Sequence, residues 1–188
     1  MQKKYWFWII IFVLSAVSLA CNLSIFSPKT PAPPIPVTTE AVQSLEETAQ
    51  NAYENLQQGE AVKLVITEAQ LTSLVALKLQ ESGDQTITNP QIYLRDGKIQ
   101  VYGTVKTENL EAIAEVIVAV GVDSSGQPTF DIESAKLGPV PLPENLISQL
   151  ETRLDLILQQ QIASLAPNTA INSILIADGQ MIIEGHQR

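Results

Sequence analysis

From Glu144 to Ala166 the chain carries neither glycine nor proline, with Pro141 and Pro143 just before the run and Pro167 just after it. Leu146, Ile147, Leu150, Leu154, Ile157, Leu158, Ile162 and Leu165 recur at steps of three and four residues, which is one face of an α-helix. Glu144, Ser148, Gln149, Glu151, Thr152, Asp155, Gln159 and Gln160 fall mostly on the other side, so Glu151 and Asp155 read as a solvated pair. Pro143 suits a first turn and Pro167 forbids continuation. At 1.5 Å per residue such a helix is roughly 30–35 Å long, about the width of a small domain. Nearly all other apolar stretches alternate like strands. The helix is therefore expected to cover the apolar face of a sheet built from most of the remaining chain.

The N-terminal residues read as an address. Lys3 and Lys4 precede an apolar run from Tyr5 to Val17, and Ser18-Leu19-Ala20 leads into Cys21, the only cysteine. Small residues before a lone cysteine resemble the lipobox of bacterial lipoproteins. In that family the thiol receives a diacylglycerol and the signal is cleaved just before it. Here the leucine stands second rather than third before the cysteine. An uncleaved anchor and an ordinary secreted protein are the alternatives, since Tyr5–Leu19 is nearly long enough to span a bilayer. The expected organisation is a signal peptide at 1–20, a lipidated Cys21 with a proline-rich linker through 37, and one domain at 38–188. Pro28, Pro31, Pro33, Pro34 and Pro36 make that linker a stiff stalk. The expected location is extracytoplasmic, held at a bacterial cell membrane by an N-terminal lipid.

Within the domain, Val42, Leu45, Ala49, Ala52, Tyr53 and Leu56 form a narrow stripe on a helix over 39–58, capped by Thr38 or Thr39 and ended by Gly59. Val62, Leu64 and Ile66 alternate as a strand. Thr67-Glu68-Ala69-Gln70 is a capping box, with Ile66 and Leu71 as the hydrophobic staple, and Gly83 ends that helix. Asp96-Gly97 predicts a two-residue hairpin loop pairing Leu94 with Ile99 and Ile92 with Val101. Residues 111–123 are ambiguous by composition. Val116, Val118, Val120 and Val122 favour a strand because β-branched residues suit a pleated surface. A last hairpin turns on Asp178-Gly179, with Ile174, Ile176, Met181 and Ile183 on one face and Leu175 and Ile182 opposite. Being apolar on both sides, it is either sandwiched or part of a greasy surface.

Charge and chemistry exclude much. Without Lys3 and Lys4, 9 basic residues face 20 acidic ones, a net −11. Such a domain does not neutralise phosphates, so no nucleic-acid partner is expected, and anionic headgroups repel it. The single histidine, His186, has no ordering partner by sequence. Asp96, Asp123 and Asp178 stand where turns want aspartate. Glu111 and Glu115 would alternate along a strand face. No metal-ligand spacing, phosphate loop or nucleophile elbow is present, so neither an enzyme, a metal nor a cofactor is expected.

Residues ~60–186 resemble the envelope lipoproteins grouped as LmeA-like phospholipid-binding domains and their YceB-like and YpmS-like relatives. The resemblance rests on Val65-Ile66-Thr67-Glu68 with Leu71, on Asp96-Gly97, on Leu137-Gly138-Pro139-Val140-Pro141-Leu142-Pro143, and on Ile176-Ala177-Asp178-Gly179. It implies a tubular lipid-binding-like fold and a phospholipid or other acyl ligand such as a fatty acid. The expectation is thus an α+β domain, a curved antiparallel sheet wrapped around one long C-terminal helix with additional N-terminal helices. The resemblance supplies no binding residues; the apolar faces of the helix at 143–165 and of the strands give the expected ligand contacts as Leu150, Leu154, Ile157, Val118, Val120, Ile174 and Ile176. The rival is a solid-core module that docks an unknown envelope protein through the helix at 39–58 or the terminal hairpin.

Overall fold

The structure, a computed structural model, describes residues 30, 33–83, 85–108, 111–152, 156, 169–177 and 179–188. Strand β1 is Val62–Thr67, β2 Ile87–Arg95, β3 Lys98–Lys106, β4 Glu111–Val122, β5 Pro128–Leu137, β6 Val140–Pro141, β7 Thr169–Ala177 and β8 Gln180–Gln187. Helix α1 is Thr39–Gln57, α2 is Glu68–Ser82 and α3 covers residues 144–152. The Asp96-Gly97 loop has both residues at positive φ, 54° and 74°, as a type I′ turn requires. It sets the register Leu94↔Ile99 and Ile92↔Val101, as expected from the sequence. β3 to β6 continue the sheet in order, so β2-β3-β4-β5-β6 is one antiparallel sheet and β1-β8-β7 is another.

The expected wrap of one sheet around a long C-terminal helix does not form. The described chain is 47% strand, in two antiparallel sheets, and its longest helix is the 19-residue N-terminal α1. The reason lies in the terminal hairpin. β8 pairs with β1 rather than with the larger sheet, matching Ile66 to Met181 and Leu64 to Ile183. Ile176 and Met181 then pack with Ile66, Leu94 and Leu45 in one buried cluster, against which Ile99, Val120, Ile174 and Ile183 also lean. A second sheet thus covers part of the apolar face that sequence reasoning had assigned to a helix. The continuation of α3 through 165 lies outside the described residues.

The β2 edge of the larger sheet is closed by side chains of α2. Thr72 of α2 is fully buried, and its Oγ1 accepts from the Ile92 N–H at 3.0 Å and donates to the Ile92 carbonyl at 3.4 Å. Glu68 accepts the Leu94 N–H at 2.7 Å and pairs with Arg95. These groups satisfy backbone that an open edge strand would present to other chains. The capping box at Thr67 and Gln70 forms as the sequence indicates, and it starts α2 where this edge needs it.

Candidate ligand-binding site

The larger sheet has two unlike faces. Register places Ile92, Val101, Val116 and Ala135 in one row and Leu94, Ile99, Val118 and Ile132 in the next, all apolar. Gly103, Ala114 and Leu137, then Val105 and Ala112, extend the same face. The opposite face carries Gln91, Tyr102, Glu115 and Lys136 in one row. Alternation with period two, set by the hairpin register, produces this division.

The apolar face is covered unevenly. One end meets the smaller sheet. Toward the other, Val118, Ile132 and Ala135 are buried, and Leu142 and Ile147 at the start of α3 pack against them. Pro143 does not open the helix as its first residue. It stands just before α3, and its carbonyl accepts the first helical bonds from Leu146 and Ile147. Val116 leans on this core, and beyond it Val101, Val105, Ala112 and Ala114 remain half-buried.

The sequence-derived contact residues divide accordingly. Val118 is buried in the core beside α3 and Ile176 in the core between the two sheets; Val120 leans on both, and Ile174 on the second. Leu150 is not on that seam and is 39% exposed. Leu154, Ile157 and the lipidation candidate Cys21 lie outside the described residues.

Glu151 was missed by sequence reasoning. Helical spacing puts it on the solvated side, yet its Oε1 accepts the Ile132 N–H at 2.9 Å and it is half-buried. The cause is a bulge in β5: Ile117 faces Ser134 and Val118 faces Ile132, so Glu133 has no partner across the ladder. Glu151 therefore fastens α3 to the edge of the sheet. No local pattern announces a bulge 19 residues away.

The polar face is tied down by the end of the proline-rich stretch. The Gln91 amide pairs with both peptide groups of Ile35, accepting its N–H at 2.6 Å and donating to its carbonyl at 3.1 Å. The Tyr93 hydroxyl donates to the Pro33 carbonyl, and the Thr38 N–H donates to Ser73. Tyr93 meets Tyr102 edge-on at 5.9 Å. Burial, then a hydrogen bond to Glu115, pushes Tyr102 up to about 12, and burial also raises Tyr93. Neither phenol is poised for proton transfer near neutral pH. His186 is exposed and bonds Asn172 at 2.7 Å, an ordering partner that only folding supplies.

Among the described residues no three His, Cys, Asp or Glu side chains group to hold a metal ion. None of the described helices is long and apolar enough to cross a membrane. No protein-family model matches the chain, and no curated protein matches it.

Proposed function

We propose that this is a membrane-tethered, extracytoplasmic domain that binds the acyl chain of a phospholipid or related amphiphile. The observation that carries the reading is the run Val101, Val105, Ala112, Ala114 and Val116. These residues share one sheet face and are only half-buried, beside Leu142 and the α3 residue Ile147, which already pack on that face. An apolar surface with no directional polar groups suits a hydrocarbon chain, which needs little angular recognition. The likeness of Val65–Glu68, the Asp96-Gly97 turn and Leu137–Pro143 to lipid-binding envelope lipoproteins points the same way. Cys21 would carry the anchor, and the acidic domain would then stand off anionic headgroups.

The test is titration of a fluorescent fatty acid into protein lacking residues 1–29, which also lacks both tryptophans. Saturable binding that is lost in Val101→Asp, with the fold intact by circular dichroism, supports the reading. Absence of binding by the parent protein contradicts it.

One observation favours docking of a protein partner instead. Val140, Leu146 and Leu156 are 62%, 42% and 55% exposed, and together with Leu150 they line the β6–α3 region; Leu175 on the terminal hairpin is 58% exposed. Where such side chains adjoin one another, they form the apolar patch that a protein partner covers. Leu146→Asp distinguishes the two readings: it abolishes partner capture in the docking case and leaves fatty-acid affinity unchanged.

A further inference from the structure

At the corner where β2 begins, two depressions run into one another. The first, of about 310 Å³, has apolar walls from Val37, Ala76, Leu79, Ile87 and Pro90. The second, of about 590 Å³, has polar walls from Thr86, Thr104, Lys106, Thr107, Glu108 and Glu111. Gln85, Thr88 and Asn89 line both. The junction is a bulge: Thr88 faces Thr104 and Gln91 faces Tyr102, so Asn89 and Pro90 together oppose Gly103. Asn89 holds φ at +50°, a conformation that asparagine tolerates and most residues do not. A side chain at Gly103 would come within 3.2 Å of the Ile87 Cγ2, so the bare position lets Ile87 sit close against β3. Bulges of this kind re-aim side chains and gather beside binding sites.

The lining indicates what fits. Val37 and Ile87 are 44% and 41% exposed, an apolar wall open to solvent. The side chains of Gln85, Asn89 and Thr104 make no hydrogen bond to any described residue, and all three are uncharged. Lys106 already pairs with Glu111 at 3.6 Å, and Glu108 adds a further negative charge. The bowl therefore repels phosphate, sulfate and carboxylate heads. We propose that this groove binds a single-chain amphiphile with an uncharged, hydroxyl-rich head. The chain lies in the slot of Val37, Leu79 and Ile87, and the hydroxyls meet Gln85, Asn89 and Thr104. Ile87 stands in one row with Val105 and Ala112, so the slot adjoins the large apolar face at the β2 edge.

Full-length protein in the membranes of expressing cells tests it by photolabelling with decyl glucoside bearing a diazirine on its chain. Labelled peptides are identified by mass spectrometry. Label is expected to concentrate on peptides containing Leu79 and Ile87 and to be competed by octyl glucoside but not by glucose. Ile87→Asp should cut labelling about tenfold, because it places a charge where the chain is buried. Asn89→Gly suits the positive φ and removes only the amide, so the fold is kept and labelling falls roughly three- to tenfold, the worth of one neutral hydrogen bond. Tyr53→Ala, on exposed α1, leaves labelling unchanged. Label spread evenly over the chain, equal labelling by a decyl sulfate probe, competition by glucose alone, or undiminished labelling of Ile87→Asp would each overturn the proposal.

Discussion

Thr72 and Tyr102 do unlike work with the same group, a hydroxyl inside the protein. Thr72 satisfies both backbone groups of Ile92 on an edge strand, so Thr72→Val keeps the shape and strands a donor and an acceptor. The expected cost is about 1–3 kcal/mol, read as a lower urea midpoint at unchanged slope, and Thr72→Ser should recover most of it. Tyr102 is instead held neutral by burial and then by Glu115, with its ionisation raised to about 12 from the ordinary 10.0. A raised value in the folded state favours the protonated form. The stability it contributes is therefore complete below pH 10 and lost as pH rises through 12. Phenolate absorbance followed alongside circular dichroism should show the last ionisation step coinciding with loss of structure, and Tyr102→Phe should remove that step. Asp123 has the opposite sign. Hydrogen bonds from the Gln127 N–H and from Ser125 hold its carboxyl below its usual 3.8, so its contribution is present above that value and lost as pH falls through the lower folded one.

At the scale of elements, turns and caps were legible and long-range contacts were not. Asp96-Gly97, the Thr67 capping box and the alternating valines of β4 each carry their structure in a few neighbouring residues, and each forms as read. The pairing of β8 with β1 depends on residues more than a hundred positions apart, which no local period reports. This pairing turned an expected single sheet into two. The site was legible only in part, since β4 and β7 positions converge while Glu151 was assigned to solvent. The structure makes Glu151 the fastening of α3, so Glu151→Ala should speed hydrogen exchange at the Ile132 amide about tenfold or more, and Glu151→Gln, which keeps an acceptor, should not. The β4–β5 turn offers a second check. Gly126 has φ +74°, its carbonyl accepts the Ile171 N–H, and a Cβ there would lie 3.1 Å from that of Ala170. Gly97 has the same φ with nothing within 4 Å. Gly126→Ala should therefore cost about 1–3 kcal/mol and exceed Gly97→Ala, which bears only the left-handed strain.

For the whole molecule, two sheets meeting over Leu94, Val120 and Ile176 leave the rest of the larger apolar face half-covered. Val140, Leu146 and Leu150 of β6 and α3 are exposed, and the end of the proline-rich stretch is pinned to the polar face. An acyl-chain receptor is the proposal that uses this half-covered face. The direct measurement is organic extraction of protein purified without residues 1–29 from bacterial cells, followed by mass spectrometry of what comes off. The account predicts near-stoichiometric phospholipid or fatty acid, displaced by added fluorescent fatty acid and missing from Val101→Asp. Protein that is folded, lipid-free and indifferent to the probe would contradict it.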